Sequence, residues 1–218
     1  MKLSINNLLF NIKHHPIIFD KKNIPKKNEI VIFCGNHLTE IDSRLVSIIT
    51  KRDILWLNNN YNLCKEQLEK GVSVGTFPEN IINKYRLTQL RIMKLEKRIL
   101  SEYSNPYIRS SDRMNYISYL QEEIKKELDN LEKAKQELQL QGIEVIKNDV
   151  LLPFTEDTIK LANETNTKIV PFAIDYNDLY VHSPIKIRFG EPIIVSDNIK
   201  KENEILRNNI KQLIYKNS

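Results

Sequence analysis

The chain has 218 residues, 41% of them hydrophobic, with five Gly and eight Pro, a balance that excludes disorder and low complexity and suffices for one well-buried domain. Its net charge of +5 and pI near 9.0 suit a partner bearing phosphate groups, but the basic residues are interleaved with acidic ones, which argues against nucleic acid. Two cysteines, Cys34 and Cys64, without metal-ligand spacing exclude a disulfide scaffold and leave no readable zinc site.

Residues 1–20 set Leu3, Leu8, Leu9, Phe10 and Ile12 among Lys and Asn, an amphipathic segment that packs either on the domain's own core or on a membrane surface. Ser4, Asn6, Asn7 and Asn11 interrupt any signal-peptide core, and nothing approaches the roughly 20 apolar residues of a membrane span. His15 and Asp20 stand five positions apart, but Pro16 and the run to Phe19 read as extended. That conformation spreads the pair over roughly 16 Å and puts the side chains on opposite faces. Residues 21–28 form a basic connector containing Pro25. The β-branched run 30–34 reads as a buried strand closed by Gly35, followed by a helix from Thr39 to about Arg52 with Leu45, Val46, Ile48 and Ile49 as its apolar face. Cys34, at the end of that strand, reads as a small core residue rather than a nucleophile.

Between strand and helix lie His37 and Asp42. On one continuous helix residues five apart diverge by about 140°, so the two meet only if His37 occupies the turn and Asp42 the first helical turn. There the free backbone N–H groups and the helix dipole favour a carboxylate. A carboxylate accepting one ring N–H fixes the imidazole tautomer and leaves the other nitrogen to take a proton from a hydroxyl, which makes a general base with its orienter. Thr39 and Asp42 also fit a capping box, in which Asp42 reaches back only to the Thr39 amide.

A strand over 53–57 and a helix over 63–70 ended by Gly71 come next. Residues 72–77 alternate as a strand and stop at Pro78-Glu79-Asn80, which sets Glu79 at the C-terminal sheet edge, where open α/β sheets bind ligands, or in a plain exposed turn. From Lys84 to Gln141 the apolar spacing changes to three and four: Leu87, Leu90, Met93, Leu95 and Leu100, a break at Ser104-Asn-Pro106, then Ile117, Leu120, Ile124, Leu128, Leu131 and Leu138. This predicts a coiled-coil-like helical hairpin whose charged face is solvated or meets a protein partner. After Gly142 the pattern gives a helix over 156–166, a buried strand over 168–174, a strand over 185–193 and a C-terminal amphipathic helix over 198–215. No Gly-rich phosphate loop or Gly-x-Ser-x-Gly elbow is present.

Asn36-His37-x4-Asp42, Phe77-Pro78-Glu79 and Ile169-Val-Pro171-Phe-Ala-Ile174, in this order and each beside a predicted strand, resemble the motifs of the glycerolipid acyltransferases, the group of lysophosphatidate acyltransferases. The segments 71–79, 151–162 and 188–192 resemble their flanks, and the likeness covers roughly residues 29–80 and 148–197. The resemblance implies that His37 deprotonates an acceptor hydroxyl, that Asp42 orients it, and that the hydroxyl attacks the thioester of acyl-coenzyme A or acyl-carrier protein. It implies no bound cofactor or metal, and gives the segment around Glu79, with Phe77, Pro78 and Asn80, and the Pro171 strand to the acceptor. Two places depart from the family. The interval from His37 to Phe77 is shorter and lacks a Gly-x-x-Phe-x-Arg segment, and Asn80-Ile81-Ile82 stands where the family has Gly-Thr-Arg. The usual phosphate-binding arginines are therefore missing, with Lys84 and Arg86 the replacements nearest in sequence.

The expectation is one α/β domain over 1–218, a mixed central sheet with flanking helices of the glycerolipid-acyltransferase kind, carrying a helical hairpin inserted between about 82 and 147. The expected activity is O-acyl transfer to a lysophospholipid-like acceptor, performed in the cytoplasm by a protein peripheral to the inner face of the membrane. The alternative is a divergent member without activity that binds a protein or lipid through the hairpin.

Overall fold

The computed structural model describes residues 16–57, 60–104, 110–145, 149–176 and 185–217. The amphipathic segment up to His15, and with it the His15 member of the His15–Asp20 pair, lies outside them, as does the expected break at Asn105 and Pro106. The chain divides into two units, residues 1–83 with 150–218, and residues 84–149.

Among the described residues the first unit is built on six strands: β1 (Ile17–Phe19), β2 (Val31–Gly35), β3 (Leu55–Trp56), β4 (Val74–Thr76), β5 (Lys168–Tyr176) and β6 (Ile185–Phe189). Their order is β1-β6-β5-β2-β4-β3, and the β5–β6 pair alone is antiparallel, so the sheet is mixed. The all-apolar β2 is buried along its whole length because it lies between parallel neighbours with both faces covered. One face carries Ile32, Cys34, Val74, Ile169 and Ala173. It packs on α2 (Tyr61–Glu69), α5 (Asp157–Thr165) and α6 (Ile199–Asn217) through Cys64, Leu68, Ile159, Ala162, Leu206 and Ile210. The other face carries Phe33, Phe172 and Phe189, whose rings meet at 6.3–6.4 Å between centroids. Helix α1 (Asp42–Thr50) is tied to this face at both ends, by the contact of Asp42 with Tyr176 and by the Arg52 guanidinium over the Phe33 ring.

Several elements are shorter than their sequence pattern. Helix α1 begins at Asp42 rather than Thr39, because the Leu38 and Thr39 amides are taken by the Asp42 side chain. Strand β6 stops at Phe189, but the chain goes on alongside β5: Gly190 donates its N–H to the Pro171 carbonyl at 2.7 Å, and Ile193 pairs with Ile169 as an isolated antiparallel bridge. Gly71, with φ +82°, closes α2 as its sequence position implied.

The second unit consists of α3 (Lys84–Tyr103) and α4 (Ser110–Leu140), packed along each other. Ile92, Ile117, Leu120, Ala134 and Leu138 are buried, and the buried Glu127 faces Arg91 at 3.6 Å. At 31 residues α4 is about 46 Å long. No helix among the described residues is long and apolar enough to cross a membrane.

Within the first unit, Asn83 Nδ2 and the Leu152 N–H both donate to Glu79 Oε1, at 3.0 and 2.7 Å, so the points where the chain leaves and re-enters that unit are close together. A short Gly/Ser linker in place of residues 84–149 is therefore expected to leave a cooperatively folded α/β unit. Urea unfolding followed by the fluorescence of the single Trp56 checks this; an insoluble or non-cooperative product would make the helical unit part of the core.

Candidate active site

His37, Asp42, Phe77 and Glu79 come together at the C-terminal edge of β2 and β4. His37 sits in the turn after β2, and its Nδ1 lies 3.2 Å from Asp42 Oδ2. Opposite a buried carboxylate Nδ1 carries the proton, which leaves the lone pair on Nε2. The imidazole is 18% exposed while Asp42 is fully buried, so the ring is reachable from solvent and the carboxylate is not.

The Asp42 carboxylate gathers donors from three directions. Oδ2 also accepts the N–H groups of Leu38 at 2.7 Å and Thr39 at 2.9 Å, and Oδ1 is met by the hydroxyls of Thr39 and Tyr176. The capping and the orienting contacts, alternatives in the sequence, are both made by Asp42 and through the same oxygen, Oδ2, while Oδ1 takes the two hydroxyls. Burial, and then the Asp42 charge, push the Tyr176 hydroxyl pKa well above the usual tyrosine value, so it stays protonated and donates.

The main chain of His37 is clamped on both sides. Its N–H donates to Glu79 Oε2 at 3.2 Å, and its carbonyl accepts the Asn83 N–H at 2.8 Å. Just before it, the Asn36 side chain exchanges two hydrogen bonds with the Ile174 backbone, at 2.8 and 2.9 Å, extending the β2–β5 pairing by one side chain. Glu79 is buried, with both oxygens engaged by His37, Asn83 and Leu152. The Leu152 segment is held in turn by Arg207 of α6, which donates to the Leu151 and Leu152 carbonyls at 2.8 and 3.3 Å.

An aromatic stack supports the imidazole. Phe77 lies parallel to His37 at 4.1 Å between ring centroids and parallel to Trp56 at 4.6 Å, and Phe172 meets Phe77 and Trp56 edge-on. Two glycines make room for these rings. A Cβ on Gly35 would lie 2.3 Å from the Phe172 ring and one on Gly75 would lie 2.5 Å from Trp56.

The remaining sequence candidates occupy other places. Pro78 is buried, and its carbonyl accepts the Thr155 N–H at 2.9 Å. Asn80 is exposed at φ +58°, its N–H donating to the Phe77 carbonyl. Pro171 is buried in β5 in register with Cys34 and packs where Gly190 lacks a side chain. Lys84 and Arg86 belong to the helical unit, where Lys84 meets Glu137 at 3.5 Å and Arg86 donates to Gln89 at 3.4 Å. No cluster of three His, Cys, Asp or Glu side chains that could hold a metal occurs among the described residues.

Sequence reasoning missed Tyr176, Thr39 as a side-chain partner, Trp56 and Asn83. Phe172, Ile174 and Tyr176 stand two apart and so share one face of β5, which runs beyond its expected end at residue 174, but nothing in the sequence pairs Tyr176 with Asp42. No family model, curated protein or solved structure matches this chain.

Burial pushes the Glu79 carboxyl from its ordinary value up to about 7, against the opposing pull of its three N–H donors and the neighbouring His37. A carboxyl that holds its proton more tightly in the folded than in the unfolded state contributes stability below the ordinary carboxylate range and loses it as pH rises to about 7. Relative to Glu79→Gln, the wild-type protein is therefore expected to lose on the order of 2–3 kcal/mol of unfolding free energy between pH 4.5 and 7.5. Urea titrations of both proteins across this range check it, and a pH-independent difference would contradict it.

Proposed function

We propose that the chain is an O-acyltransferase of the glycerolipid kind, moving a fatty acyl group from acyl-coenzyme A or acyl-carrier protein to the hydroxyl of a lysophospholipid-like acceptor. The observation that carries this reading is the partly exposed His37 imidazole held by the fully buried Asp42 carboxylate at the C-terminal edge of the sheet. His37 Nε2 takes the proton of the acceptor hydroxyl while that oxygen attacks the thioester carbonyl, and Asp42 stabilises the imidazolium that forms. The tetrahedral intermediate then collapses with cleavage of the carbon–sulfur bond, and the proton passes from Nε2 to the departing thiolate. A thioester is already activated, so one positioned hydroxyl and one base suffice without a covalent enzyme intermediate.

In this reading the mixed sheet is a glycerolipid-acyltransferase-like core with an inserted helical hairpin, working from the cytoplasmic side of a membrane surface. Glu79 spends both oxygens on the protein itself, so it serves the acceptor by fixing the His37 turn. Contact with the acceptor falls to the Phe77 ring beside His37 and to the exposed Asn80. A second reading, an inactive chain that binds a protein partner through its hairpin, draws on a groove of about 350 Å³ in the helical unit. Ile92, Met93, Leu128 and Leu131 give that groove apolar walls, and Arg86 and Asp149 line it as well.

Acyl transfer by purified protein across a panel of thioesters and lysolipids tests the first reading against the second. His37→Ala is expected to lower turnover by about 10²- to 10⁴-fold while His15→Ala leaves it unchanged. Loss in both folded variants, or in neither, would remove His37 from its role. The missing arginines bear on selectivity, because charge-assisted hydrogen bonds of this kind contribute roughly 1.5–3 kcal/mol each. The ratio of kcat/KM for lysophosphatidate to that for a monoacylglycerol of the same chain is expected to stay below about 100. A higher ratio, abolished by Lys84→Ala or Arg86→Ala, would assign the phosphate clamp to those residues.

A further inference from the structure

Five donors converge on the Asp42 carboxylate: the N–H groups of Leu38 and Thr39, the His37 Nδ1–H, and the hydroxyls of Thr39 and Tyr176. Three of these donors meet Oδ2, and two, the hydroxyls, meet Oδ1. The two amides are fixed by the backbone and the ring N–H by the His37 turn, which leaves the hydroxyls as the adjustable pair. Thr39 Oγ1 lies 2.8 Å from Asp42 Oδ1 and also within hydrogen-bond reach of Tyr176 Oη. Its single proton therefore has two acceptors available.

We infer that Thr39 and Tyr176 are a redundant pair of positioning residues: the Tyr176 hydroxyl donates to Asp42 Oδ1 and receives the Thr39 proton, and when either hydroxyl is removed the other fills the vacant site on Asp42. A phenol is the more acidic donor and gives the stronger bond to a carboxylate, which sets the order Thr39 to Tyr176 to Asp42. Filling Oδ1 in this way keeps the carboxylate from rotating, so Oδ2 stays aimed at His37 Nδ1. With Oδ1 unfilled, the buried carboxylate lacks a donor on one side and turns toward the groups that remain. The two elements concerned are far apart in sequence, Thr39 before α1 and Tyr176 at the end of β5, so the pair also locks the start of α1 to the sheet.

This inference rests on the proposed activity only for its kinetic readout. The test is a double-mutant cycle with Tyr176→Phe and Thr39→Val, each close in volume to the residue it replaces, read by acyl-transfer kinetics and by ¹⁵N NMR of the imidazole nitrogens. Each single variant is expected to stay within about threefold of wild type in kcat and to keep the Nδ1–H form of His37. The double variant is expected to fall at least about tenfold below the product of the single effects, in kcat rather than KM, with His37 passing to a mixture of tautomers. Additive effects, a Tyr176→Phe loss equal to that of the double variant, or an unchanged His37 spectrum in the double variant would overturn the pair. The spectrum reports on His37 whether or not acyl transfer occurs. A wild-type protein inactive on every thioester but showing the expected spectra would contradict the activity and leave the pair standing, while an active protein with unchanged spectra would contradict the pair alone.

Discussion

A fully buried carboxylate must be surrounded by donors or it does not remain in a folded protein, and the first unit of this chain is arranged to meet that requirement at Asp42. The turn after β2 supplies two amides and the imidazole, and the end of β5 supplies a phenol. Those groups arrive because β2 and β5 are paired in register up to Gly35 and Phe172, and because Asn36 carries the pairing one side chain further. The position of the helix start and the tautomer of His37 thus answer to one desolvated carboxylate, and β5, paired with β6 as far as Tyr176, is long enough to bring it a phenol.

A second chain of contacts reaches the same histidine from the other side. Arg207 on α6 holds the Leu151–Leu152 carbonyls, the Leu152 N–H meets Glu79, and Glu79 meets the His37 N–H. Asn83 closes the loop by bonding both the Glu79 carboxylate and the His37 carbonyl. Side chain and main chain of His37 are therefore fixed by separate networks, one through Asp42 and one through Glu79. In the proposed reaction a base held at both levels loses little entropy on aligning with a substrate, and through these contacts the distant helix α6 bears on its geometry.

The strands and helices around the site were legible because their apolar periodicity is strong: the continuous run of β2, the alternation before Pro78, and the three- and four-residue spacing of the hairpin. The turn position of His37 followed from the strand closed by Gly35 and from the condition that His37 and Asp42 meet, since residues five apart on one helix diverge by about 140°. What was not legible depends on contacts remote in sequence. Tyr176 lies 134 residues from Asp42, and nothing local to residue 176 marks it as a donor to that carboxylate. Glu79 at the sheet edge was foreseen, but its burial was not, because that depends on Leu152, 73 residues away. The aromatic stack was hidden for a related reason: Gly75 reads as a weak strand residue, and only the Trp56 ring lying over it shows why no side chain fits.

The most direct test of this account is thiol release from acyl-coenzyme A on addition of lysolipid, compared between the wild-type protein and Asp42→Asn. The substitution keeps the size of the side chain but removes the charge that holds the imidazole. The wild-type protein is expected to release thiol in step with acylated product. Asp42→Asn is expected to lower kcat by about a hundredfold or more, with acceptor KM within about threefold. A folded wild-type protein that releases no thiol with any donor, or an Asp42→Asn protein as fast as wild type, would contradict it.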